Sequence, residues 1–152
     1  MIIEEKRYLF PVEDKSNPSD GGISLAGISS STKGEGNVLF FGPTGEVNKT
    51  GSGGGHFMVQ RWRVRVWVKE AAASAGTPDL AFKLMDSLDG SAMRTIYTSP
   101  AFKLADLTMG AVIADFIVPS NAHDYLKAEL SNSTTSAFTG GKVCGVIEPE
   151  LG

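Results

Sequence analysis

From Arg61 to Trp67, every second residue is one that can grip another molecule: Arg61, Arg63, Arg65 and Trp67. They belong to the run MVQRWRVRVWVK at 58–69, which alternates throughout. Met58, Gln60, Trp62, Val64, Val66 and Val68 share one face; Val59, Arg61, Arg63, Arg65, Trp67 and Lys69 share the other. A period of two over so many β-branched and aromatic residues predicts a long, half-buried strand. Arginine and tryptophan are over-represented at binding hot spots and can stack on one another, so the outer row reads as a protein-contact face. The alternative is a solvated face whose arginines bond to carboxylates on neighbouring strands. Either way the row blunts edge-to-edge strand pairing.

Other residues that could do chemistry lack the partners their chemistry needs. The glycine-rich GSGGG at 51–55 is followed by His56-Phe57, not by the lysine and hydroxyl residue that hold phosphate and Mg²⁺ in a phosphate loop. A strand follows it, not a helix, so it reads as a flexible loop. Ser30-Ser31-Thr32-Lys33 and Lys49-Thr50-Gly51 match two penicillin-binding signatures by spacing, but both sit in a glycine-rich region without a helix to carry the serine. His56 and His123 are the two histidines, and no convergent ligands are nominated around them. His123-Asp124 reads as a turn with a local hydrogen bond at the mouth of a strand. No carboxylate pair stands out for glycoside chemistry. The expectation is a non-enzymatic chain with no metal and no cofactor.

Composition narrows the class further. A chain of 152 residues suits one domain with a real core. Charged content of 20% with 18 glycines favours a turn-rich β fold over a helical bundle. A net charge of −3 argues against a nucleic-acid partner. Cys144 is the single cysteine, which excludes an intramolecular disulfide and any cysteine-based zinc site. No apolar run is long enough for a membrane-spanning helix. The start MIIEEKRYLF is acidic where a secretory signal is basic, so the chain is expected to be made in the host cytoplasm and used without export through a signal peptide, and the sequons at Asn48 and Asn132 to be unused.

The elements that must position these residues follow from turn clusters and alternation. Residues 1–21 read as an N-terminal arm, with Ile2, Ile3, Tyr8, Leu9, Phe10 and Val12 as apolar anchors. Residues 22–152 read as the domain. GISLAGI at 22–28 offers a short strand, SSSTKGEGN a loop, NVLFF at 37–41 a strand, and GPTGEVNKTGSGGG a long loop. After the long strand, Leu80, Phe82 and Leu84 point inward from a strand near 79–86, and Asp89-Gly90 marks a hairpin turn. Met93, Thr95 and Tyr97 line the next strand, which Ser99-Pro100 ends. AFKLADLTMG holds a helical turn closed by Gly110, and Val112, Ala114, Phe116 and Val118 then alternate. Leu126, Ala128 and Leu130 face inward from 124–131. A last strand, 142–148, offers Val143 and Ile147, or Cys144 and Val146, to the core. The sum is an all-β, antiparallel, jelly-roll-like sandwich of about eight strands. Its expected core holds Trp62, Val64, Val66, Leu80, Phe82, Leu84, Phe116 and Leu126.

With the strands placed, residues 57 to about 148 resemble the cement, or decoration, proteins of tailed-bacteriophage capsids. The likeness lies in order and spacing. The alternating strand is followed by LAFKLMDSLDGS, then TIYTSPAFKLADLTMGAVIADFIVP, HDYLKAEL, SNSTTSAFTGG and a closing KVCGVIE. The resemblance implies a jelly roll without catalytic activity on the outer capsid surface of a virion. There it would bind a major capsid protein of the HK97 fold and brace adjacent capsomers. It also implies a homo-oligomer, a dimer ahead of a trimer. Residues 1–12 of the arm are expected to order only on a neighbouring subunit or on the shell. The competing reading is a carbohydrate-binding or receptor-binding jelly roll of a virion, with Trp67, Tyr97 and Tyr125 stacking on sugar rings.

Overall fold

The alternating run becomes β4 (Trp62–Ala73), the longest strand among the described residues, in a computed structural model that describes residues 7–10, 22–41, 61–119 and 121–150. The glycine-rich stretch 51–55, His56, the first residues of the run, Ile2 and Ile3 lie outside the described residues. Burial along β4 alternates as its sequence does. Trp62, Val64, Val66 and Val68 are buried, and Arg63, Arg65, Trp67 and Lys69 are half-exposed.

Among the described residues, ten strands form two five-stranded antiparallel sheets. Besides β4 they are β1 (Arg7–Tyr8), β2 (Ile23–Ser24), β3 (Gly34–Phe40), β5 (Asp79–Ser87), β6 (Arg94–Thr98), β7 (Phe102–Lys103), β8 (Val112–Ile117), β9 (Tyr125–Ser131) and β10 (Gly140–Pro149). The first sheet runs β1-β10-β4-β8, with β2 also on β10; the second runs β3-β9-β5-β6, with β7 on β5. Setting aside the two-residue β2 and β7, the chain forms nested antiparallel pairs: β1 with β10, β3 with β9, β4 with β8, and β5 with β6. Such nesting, one long hairpin wound over itself, is the connectivity of a jelly roll.

One core fills the space between the sheets. Of the residues expected there, Trp62, Val64, Val66, Leu80, Phe82, Leu84 and Leu126 are buried. Phe116 packs against them half-buried, with its ring stacked on Tyr97 at 3.8 Å between centroids. That stack closes the seam between β6 and β8. The expected helical turn is a 3₁₀ turn, Leu104–Asp106, and Gly110 follows in the left-handed region at φ +89°. The β5–β6 hairpin turns at Asp89-Gly90, where the Asp89 carboxylate accepts from the Ser91 and Ala92 amides at 2.8 and 3.0 Å. Of the two readings of the last strand, the one that sends Val143 and Ile147 to the core holds. Val143 and Ile147 face the core opposite Val68 and Val64, while Cys144 and Val146 are buried on the other side.

The expectation that the arm orders only on a partner is corrected for residues 7–10. Leu9 and Phe10 are fully buried, so they build the domain's own core and cannot serve as its contacts. The Leu9 amide donates to Gly145 O at 2.9 Å, and its carbonyl accepts from Asn37 N at 2.9 Å. One residue thus bonds to both sheets and closes the seam opposite the Tyr97–Phe116 stack. Arg7 adds a bond from Nη1 to Phe40 O at 2.9 Å, with its guanidinium 4.6 Å above the Phe41 ring. The boundary drawn after residue 21 therefore cuts through the sandwich, because β1 is the first strand of the roll.

Two further expectations give way for related reasons. The loop drawn through SSSTKGEGN is strand from Gly34 onward. Its irregular pattern reflects the close approach of the arm: a Cβ on Gly36 would sit 2.3 Å from Leu9 O. Pairing with β9 slips between Glu35 and Val38, the mark of a bulge. On β8, Val112 was expected inside but is 60% exposed, and Ile113 is buried instead. The β4–β8 register shifts between Val66 and Trp67, which inserts one residue and turns Val112 outward.

Candidate functional site

Rigid neighbours on both sides hold the outer face of β4. Arg63 stands opposite Glu148 on β10 and Ile117 on β8, Arg65 opposite Val146 and Asp115, and Trp67 opposite Cys144 and Val112. The two arginines reach diagonally. Arg63 Nε and Nη2 donate to the two carboxylate oxygens of Asp115 at 2.7 Å each, a bidentate pair. Arg65 Nη2 donates to Glu148 Oε1. The hydrogen bonds and charge of Arg63 hold the Asp115 carboxyl below its ordinary range, and those of Asp115 raise the Arg63 guanidinium in return. Arg61 is exposed beyond the start of β4, and its carbonyl accepts from Glu150 N at 2.8 Å.

The face therefore presents paired charges and one half-buried indole. Trp67 lines a shallow depression with Val66, Gly110 and Val112, flanked by Arg63, Arg65 and Asp115. Val112 and the neighbouring Met109, 76% exposed, give its rim an apolar character. Reading by alternation missed both. Val112 was masked by the bulge, and Met109 lies in a turn where no periodicity applies. Of the arm candidates, Tyr8 is half-buried opposite Val146, Leu9 and Phe10 are core, and Ile2 and Ile3 lie outside the described residues.

The outer face of the other sheet carries a second exposed cluster. Phe40, 51% exposed, stacks obliquely on Tyr125 at 4.7 Å, with Val38 beside it. Lys127 pairs with Glu35 at 3.1 Å, and Lys33 with the buried Glu129 at 3.3 Å. The lysine of the S-x-x-K match thus serves an ion pair, and its serines sit in a tight turn bridged from Ser29 to Thr32. Tyr97, a candidate for sugar stacking, instead faces Phe116.

His123 works through its backbone. Its amide donates to Asp86 at 2.8 Å, a long-range bond where a local turn bond was expected. Asp86 is fully buried and accepts both arms of Arg94 at 3.0 and 2.7 Å. Burial pushes the Asp86 carboxyl up, but Arg94 and the His123 amide outweigh it and hold it below the usual range. Among the described residues no three of His, Cys, Asp and Glu converge in a metal-holding arrangement.

The family model Bbp16 matches residues 31–147, from the turn before β3 into β10. The chain belongs to the Bbp16 family, a phage-associated family. A search of curated proteins finds no match. The Bbp16 match takes in the outer face of β4 and β8 and the Phe40–Tyr125 cluster, and it begins after β1 and β2.

Proposed function

We propose that this Bbp16 protein is a non-enzymatic capsid cement protein. It binds the outside of a phage shell of HK97-fold major capsid protein and braces the contacts between capsomers. Membership of a phage-associated family over residues 31–147 carries the reading. The geometry supports it: a jelly roll locked at both seams offers side chains on a rigid strand, so little order is lost on docking. Repetition over a shell multiplies modest contacts through avidity, so each site need not be tight. As a bridging element the protein acts as a homo-oligomer on the capsid surface, in contact with the major capsid protein.

The test adds the purified chain to shells assembled without it and follows occupancy by sedimentation. Saturable binding at a fixed ratio to the major capsid protein, with shells that rupture at higher temperature, supports cementing. Absence of binding refutes it.

One observation favours a second reading, a glycan-binding module of the virion. The exposed Phe40 and the half-buried Tyr125 form an aromatic pair beside Lys127 and Glu35, a platform for stacking a sugar ring. A glycan array probed with wild type and Tyr125→Ala decides it: signal lost in the variant supports this reading, and a blank array rejects it.

A further inference from the structure

We propose that the β4–β8 face recognises an extended, uncharged apolar segment of the shell protein. The segment lies along the outer edge of β8, which no described strand pairs, and places one apolar side chain in the Trp67–Val112 depression. The inference rests on the cement reading and names what that face binds.

Its argument begins with charge. The charged side chains that line the depression are Arg63, Arg65 and Asp115, and all are paired, Arg63 with Asp115 and Arg65 with Glu148. An acidic partner would have to displace carboxylates already bonded to both arginines, one of them bidentately. A face with its charges matched internally is complementary to a neutral surface, and its arginines act as packed walls.

Topology supplies the second part. β8 ends its sheet, and β4 is its strand partner among the described residues. An edge strand presents a row of backbone donors and acceptors, which an extended peptide can pair as an added strand. Apolar exposure gathers at the same corner, where Val112 and Met109 stand 60% and 76% exposed. A Cβ built on Gly110 would meet nothing within 4 Å, so no side chain of the described residues overhangs the turn between them.

The test measures binding of the full chain to shells for four proteins: wild type, Val112→Lys, Met109→Lys, and the double variant Arg63→Gln with Asp115→Asn. The lysines go onto exposed positions, and melting temperature checks the fold of each. The expected result is that each lysine variant weakens binding on the order of tenfold. The double variant, which removes the charge of one wall and keeps most of its bulk, loses less than either lysine variant, and wild-type affinity changes little between about 0.05 and 0.5 M salt because the charges beside the depression are paired. If the double variant or added salt weakens binding more than the lysines do, the contact is ionic and the inference is overturned. Wild type that binds while both lysine variants bind equally well overturns the inference and leaves the cement reading standing. Wild type that fails to bind overturns both.

Discussion

Replacing Phe10 by alanine should unfold this protein far more easily than its place near the chain start suggests. The ring is fully buried, and its edge lies against the backbone of Gly145 on β10, where even an added Cβ would sit 3.0 Å from Cε2. Truncating a buried phenylalanine removes its transfer free energy and leaves a cavity, together about 3–5 kcal/mol. For a domain of this size each kcal/mol moves the melting temperature by about 2–4 °C, so Phe10→Ala should melt roughly 10 °C lower. Leu9→Ala adds about 2–5 kcal/mol by the same mechanism. The double variant then approaches the whole stability of an ordinary domain, about 5–15 kcal/mol. Calorimetry and urea unfolding, followed by tryptophan fluorescence from Trp62 and Trp67, read both quantities. A melting temperature within about 3 °C of wild type for Phe10→Ala would refute the reasoning, because cavity costs are not that small in a core that cannot collapse.

Acid should destabilise the fold through three aspartates. Asp86, Asp89 and Asp115 are all held below their ordinary carboxyl range: the first by Arg94 and the His123 amide against burial, the second by the Ser91 and Ala92 amides, and the third by Arg63. Their folded values lie below the unfolded ones, so their contribution is complete above about pH 4 and is lost as pH falls through the folded values. Urea midpoints should stay flat near neutrality and drop in acid, with a shallower drop in Asp86→Asn. Asp86→Ala should cost about 2–3 kcal/mol at pH 7, read by urea unfolding, since it leaves the His123 amide without its acceptor and Arg94 without its partner. Gly90→Ala should cost about 1–2 kcal/mol by thermal melting, because φ is +83° and the new Cβ would lie 3.1 Å from the Tyr125 ring.

Alternation made the sandwich legible wherever one face of a strand meets the core and the other meets solvent. Trp62 to Val68, and Leu80, Phe82 and Leu84, needed no more than a period of two. It failed where a residue departs from the pleat or where both faces are covered. The bulge at Val66/Trp67 exchanged Val112 for Ile113, and Cys144 and Val146 are buried on the side opposite the core. The arm was unreadable for a different reason. A two-residue strand has no period, and its partner β10 lies at the far end of the sequence. Its one local trace is Gly36, a glycine without a turn, placed where Leu9 passes. The arginine row was visible as a face, but its diagonal pairing to Asp115 and Glu148 depends on register between distant strands. So does the apolar corner of Met109 and Val112.

The most direct measurement is a reconstruction of the phage particle that carries this protein. The cement account predicts density for the jelly roll on the outer shell, repeated at equivalent positions across capsomer boundaries, with the β4–β8 face against the major capsid protein. Density confined to the tail, or a shell without this protein, would contradict it.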